Sequence, residues 1–77
     1  MRIKELRKAK NITQIKLAKD LNTTQNTISR YETGEREPGI AELIRIADYF
    51  RVSVDYLIGR TDCPDMYPNH NSLQKRI

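Results

Sequence analysis

Apolar residues in this chain fall in short clusters at helical spacing, and most clusters lie between a helix-starting and a helix-stopping residue. That pattern leaves little room for strands and predicts five short helices. The first covers about Arg2–Lys10, with Ile3, Leu6 and Ala9 on one face, and Asn11 closes it in a left-handed turn. Thr13 caps the second, which runs from Gln14 to about Leu21 and buries Leu17, Ala18 and Leu21. Ile12, just before that cap, faces Leu17 as a hydrophobic staple. Thr23 and Thr24 offer hydroxyls to cap a third helix, about Gln25–Glu32, and Gly34 stops it. After the breaker-rich loop Glu35-Arg36-Glu37-Pro38-Gly39 comes Ile40–Phe50, with Ile40, Leu43, Ala47 and Phe50 as its stripe, widened by Ile44 and Ile46. Ser53 caps the fifth helix, Val52 and Leu57 repeat the staple, and Gly59 ends it.

The expected architecture is therefore all-α, a five-helix domain over residues 1–60 followed by a short irregular tail, 61–77, flexible or docked. Seventy-seven residues allow one domain with a thin core and no second catalytic or sensing unit. No apolar run nears the roughly 18 residues that span a bilayer, and no apolar stretch follows the basic MRIKELRKAK, so neither anchor nor signal peptide is expected. Cys63 stands alone, which suits a reducing cytoplasm. No Cys, His or carboxylate cluster has metal-ligand spacing, no nucleophile has a base beside it, and no glycine-rich phosphate loop is present. The reading is of a non-enzyme without cofactor, metal or evident small-molecule site; His70 and Cys63 are bystanders.

Charge is uneven along the chain. Residues 1–36 hold nine Lys or Arg against four acids, whereas residues 37–60 hold three against four. A one-sided basic half suggests a polyanion partner. Within it, Gln14, Ala18, Asn22 and Ile28 stand at spacings of four, four and six. Ala18 is small where two helices cross closely. Asn22 takes the sharp turn between them, being the residue that best tolerates positive φ after glycine. Ile28 locks the second of the two onto the core. Around these anchors lie Thr24, Gln25, Asn26, Thr27, Ser29 and Arg30, a face of hydrogen-bonding groups with no acid before Glu32. Such a face is most often simply solvated, but acids favour helix N-termini, so their absence fits an anionic partner.

The stretch QIKLAKDLNTTQNTISRYETG resembles the helix-turn-helix of the lambda-repressor-like family, which includes phage repressors, Cro proteins and many bacterial regulators. The resemblance runs from Met1 to Gly59 and departs from the usual pattern at Asn22, where the family generally has Gly. It implies that the third helix is a recognition helix lying in the major groove of double-stranded DNA. Gln25, Asn26, Thr27 and Arg30 then fall at base-reading positions. Gln and Asn suit adenine, and Arg suits guanine. Gln14, Thr24, Tyr31 and Arg36 fall where phosphates are contacted. It also implies an ion pair between Arg7 of the first helix and Glu32. Such a cation is independently needed, because an acid ending a helix opposes the dipole.

The function so implied is sequence-specific transcriptional regulation, most simply repression, by a homodimer on a palindromic operator. Two copies would read half-sites about 10 base pairs apart. Ile44, Ile46, Tyr56 and Ile58 are the expected dimer contact. The rival is an antitoxin or protein-interaction module holding a partner protein through the helical groove or through tail residues Met66, Tyr67, Leu73 and Ile77. RNA is a weaker candidate, because the deep A-form groove does not admit a helix easily.

Overall fold

The computed structural model describes residues 1–65 and has five helices in that span: α1 (Ile3–Ala9), α2 (Gln14–Asp20), α3 (Gln25–Thr33), α4 (Ile40–Phe50) and α5 (Val54–Leu57). Tail residues Met66, Tyr67, His70, Leu73 and Ile77 lie outside the described residues.

Local chemistry sets most of the boundaries. The Thr13 hydroxyl accepts the Lys16 amide at 3.0 Å, the Thr24 hydroxyl accepts the Thr27 amide at 3.1 Å, and the Ser53 hydroxyl accepts the Tyr56 amide at 3.0 Å. Each thus satisfies an amide that the first helical turn leaves free. Asn11 and Asn22 both take φ 60, and Gly34 takes φ 86 to end α3. Asn22 turns the chain between α2 and α3, and its amide donates to the Lys19 carbonyl while that of Thr23 reaches the Ala18 carbonyl. α3 runs one residue past the expected Glu32, because the left-handed stop is Gly34 itself.

α2 packs on α3, α1 on α3, and α4 on α5. Ile3, Leu17, Ile28, Ile46 and Leu57 are wholly buried at the centre. Each such side chain removes apolar surface worth about 1.5–3 kcal/mol from water. Ala18 is also buried, within the same core cluster.

Two expectations change. Ile40 is 78% exposed and Ile44 48%, so the inner face of α4 is carried by Leu43, Ile46, Ala47 and Phe50. Ala9 is exposed, and the apolar face of α1 is carried by Ile3 and Leu6. Past residue 60 the chain keeps a contact with the helices: the Ser53 amide donates to the Pro64 carbonyl at 3.0 Å. Arg2 reinforces that closure, donating to the Tyr56 and Thr61 carbonyls and pairing with Asp62. α4 ends at Arg51 in the left-handed region, φ 58, with no glycine.

Arg51 yields a direct expectation. A non-glycine residue in this conformation costs roughly 1 kcal/mol, and its side chain is exposed. Arg51→Gly is therefore expected to stabilise the domain by about 0.5–1 kcal/mol, read as a raised Tm. A lowered Tm would mean that the arginine side chain holds the α4 end by contacts of its own.

A second set of contacts fastens the end of α2 to α4. Tyr49 Oη donates to Asp20 Oδ2 at 2.6 Å, Lys16 Nζ donates to Asp20 Oδ1 at 3.2 Å, and the Arg45 guanidinium donates to the Leu21 carbonyl. The Tyr49 bond holds the Asp20 carboxyl below its ordinary value and pushes the phenol up to about 12.

Candidate nucleic-acid interface

The N-terminal half of α3 is presented outward. Thr24, Gln25, Asn26 and Arg30 are exposed, Thr27 and Ser29 are half-buried, and Ile28 points into the core between them. The Thr24 and Thr27 hydroxyls are 2.9 Å apart, so their methyl groups and oxygens form one ordered corner at the helix start. α1, α4 and α5 each carry an acid in the first turn, namely Glu5, Glu42 and Asp55. α2 and α3 carry none. The two helices of the motif therefore have no acid of their own in the first turn to offset their positive ends.

Behind this surface lies a buried carboxylate. Glu32, with a side chain only 4% exposed, accepts Arg7 Nε at 2.7 Å and Nη2 at 3.2 Å. It also accepts Gln14 Nε2 at 3.0 Å. Arg7 Nη1 in turn donates to the Ile12 carbonyl at 3.0 Å, so one guanidinium ties α3 to the α1–α2 turn. This fork uses two parallel donors on a carboxylate, a geometry that lysine lacks. Burial alone would raise the Glu32 carboxyl. The hydrogen bonds from Arg7 and Gln14, with the nearby positive charges, outweigh it and hold the group below its ordinary value. Arg7 is raised, chiefly by its bond to Glu32.

The carboxylate also orders the surface. An ionised carboxylate only accepts, so the Gln14 amide must turn its NH2 group inward. Its Oε1 then faces outward and accepts Gln25 Nε2 at 3.3 Å. Gln25 consequently spends one N–H on Gln14 and keeps its other N–H and its carbonyl oxygen free. The chain Glu32–Gln14–Gln25 thus fixes the donor and acceptor order that α3 presents.

Beside it, Arg7, Lys8, Asn11, Thr13, Gln14 and Gln25 line an open hollow of about 640 Å³. Ile15, 62% exposed, forms part of its rim.

Two expected phosphate contacts stand differently. Arg36 is exposed, and its amide donates to the Arg30 carbonyl at 3.3 Å, which folds the loop back along α3. Tyr31 is 7% exposed and packs in the core. The sequence reading missed that Gln14 is bound to Glu32 and Gln25. Partners 18 and 11 residues away leave no local pattern in the sequence. The sequence reading also missed the Tyr49–Asp20 bond, although Lys16 and Asp20 stand at the i,i+4 spacing of a helical ion pair. Among the described residues no three His, Cys, Asp or Glu side chains group to hold a metal ion, and no helix is long and apolar enough to cross a membrane.

Residues 3–57 match the family described as Helix-turn-helix, and the chain belongs to this lambda-repressor-like helix-turn-helix family. Three relatives illustrate the likeness. The uncharacterized HTH-type transcriptional regulator YobD of Bacillus subtilis is 32% identical over 74 residues, 96% of this chain and 66% of its own length. The HTH-type transcriptional regulator ImmR of the same organism is 36% identical, covering 79% of this chain and 48% of its own. The cryptic phage CTXphi transcriptional repressor RstR of Vibrio cholerae is 39% identical, covering 78% and 57%. The matched part of this chain thus spans between about half and two thirds of these relatives. No solved structure matches it.

Proposed function

We propose that this chain is a sequence-specific regulator of transcription that binds double-stranded DNA through α3, as a homodimer, and acts as a repressor. The observation that carries the reading is the pinned amide of Gln25. Its free N–H and carbonyl oxygen are the pair that adenine requires, since adenine presents N7 as acceptor and N6 as donor in the major groove. Asn26 offers the same pair, and Arg30 offers the two donors that guanine N7 and O6 accept. Thr27 stands beside them at the Thr24 corner. Gln14 keeps one N–H beyond its bond to Glu32, which with the Thr24 hydroxyl and the Arg36 guanidinium makes up the phosphate contacts. The acid-free starts of α2 and α3 favour the same anions. Repression needs only occupancy of a site on DNA, and RstR, the Vibrio cholerae relative, is named a repressor.

The face we assign to a second copy is narrower than the sequence expectation. Ile46 is wholly buried and unavailable to a partner. The Tyr56 ring is covered by the Arg2 guanidinium, 4.3 Å from its centroid. Ile44 and Ile58 remain, 48% and 36% exposed, together with Met1 at 50%. These three apolar side chains are the surface we assign to a second copy.

Selection of bound duplexes from random DNA tests the reading. An enriched inverted repeat is expected, with half-site centres about 10 base pairs apart and two chains bound per site. No enrichment contradicts DNA recognition, and one chain saturating an isolated half-site contradicts the dimer.

A further inference from the structure

α3 carries no acid before Glu32, and Glu32 is turned inward onto Arg7 and Gln14. The next carboxylate is Glu35, one residue past the left-handed Gly34. Its position is set by the loop. The Glu35 amide donates to the Thr33 hydroxyl at 3.4 Å, and the Arg36 amide donates to the Arg30 carbonyl at 3.3 Å. This places Glu35 Oε1 3.9 Å from Arg30 Nε, with the two side chains 69% and 52% exposed.

At that exposure an ion pair is worth at most about a fivefold shift in an equilibrium, too little for Glu35 to matter to the fold. The contact matters for the state of Arg30 when DNA arrives. A free guanidinium near a duplex finds a phosphate whatever the sequence, which raises affinity for every site equally. A guanidinium with a carboxylate beside it has a competing partner that any phosphate must displace. Guanine, with two acceptors in line, offers a bidentate replacement that a wrong base does not.

We infer that Glu35 is a specificity-determining residue: it occupies Arg30 at sites lacking guanine and releases it where guanine is present. The inference rests on Arg30 as a base reader. Discrimination here comes from weakening the wrong complex rather than strengthening the right one.

The test compares Glu35→Gln with the wild type on the selected duplex and on the same duplex with Arg30's guanine replaced. The exposed loop position leaves the fold intact, checked by an unchanged Tm. The expected result is a gain in binding to the replaced duplex about two- to fivefold larger than any gain on the selected one. The salt slope on the replaced duplex should steepen by about one ion. In an Arg30→Ala background the same substitution should change both duplexes equally, since only the general repulsion of phosphates remains. Equal changes on both duplexes in the wild-type background overturn the inference and leave DNA recognition standing. Absence of binding to any duplex overturns recognition, and this inference with it.

Discussion

An Arg7→Met chain is expected to lose about 3 kcal/mol of stability, the scale of a buried pair with one partner removed. In a domain of this size that is a fall in Tm on the order of 12 °C or more. The methionine keeps most of the volume, so the loss comes from leaving the Glu32 carboxylate, 4% exposed, with Gln14 as its remaining side-chain donor. Acid should narrow the gap. In the wild type the Glu32 carboxyl titrates below its ordinary value of 4.5, so the pair stabilises the fold above that pH. Its contribution fades as pH falls through the lower, folded value. Without Arg7 the raising effect of burial goes largely unopposed, and protonation relieves the variant. The two Tm values should therefore converge below about pH 4.5, the unfolded reference. A difference that stays constant with pH would mean the lost stability came from packing of the arginine stem.

Arg30→Ala should lower affinity for the selected duplex by about 1–3 kcal/mol, roughly 5- to 150-fold, and remove the preference for guanine at one position in each half-site. Gln25→Ala should cost a similar amount and relax an adenine. Both side chains are exposed, so neither substitution should change Tm. Gln14→Ala is expected to behave differently from a plain phosphate contact. It removes one backbone contact, weakening all DNA alike. It also releases Gln25, whose amide is then free to turn over, so discrimination at the adenine should fall as well. Fluorescence anisotropy with matched and single-substituted duplexes separates these effects. Loss of affinity with discrimination unchanged in Arg30→Ala would remove Arg30 from the base readers.

What could be read in advance follows the range of each interaction. Thr13, Thr24 and Ser53 act on amides three residues away, and Asn11, Asn22 and Gly34 act on their own backbone, so helix starts and stops were legible. Arg51 was not. Its left-handed turn is imposed by tertiary packing, with Phe50 and Val52 buried on either side of it. Periodicity marked Ile40, Ile44 and Ile46 as apolar alike, yet only Ile46 meets the core. The choice among them depends on where α5 lies, and no spacing within α4 contains that. Arg2 shows the same limit most sharply, since its carbonyl partners at Tyr56 and Thr61 are 54 and 59 residues away. The outward residues of α3 were legible as a set because Ile28 fixes the helix phase. The order in which Gln25 presents donor and acceptor became readable only with Gln14 and Glu32 placed behind it.

The measurement closest to the central claim is a titration of the 15N-labelled chain with the selected duplex, followed by NMR. The account predicts that backbone amides of residues 24–30 and the side-chain NH2 signals of Gln14, Gln25 and Asn26 move most. They should saturate at one chain per half-site, while amides at the core of α5 stay nearly still. Largest shifts centred on α4 and α5, with the α3 side-chain amides unmoved, would contradict it.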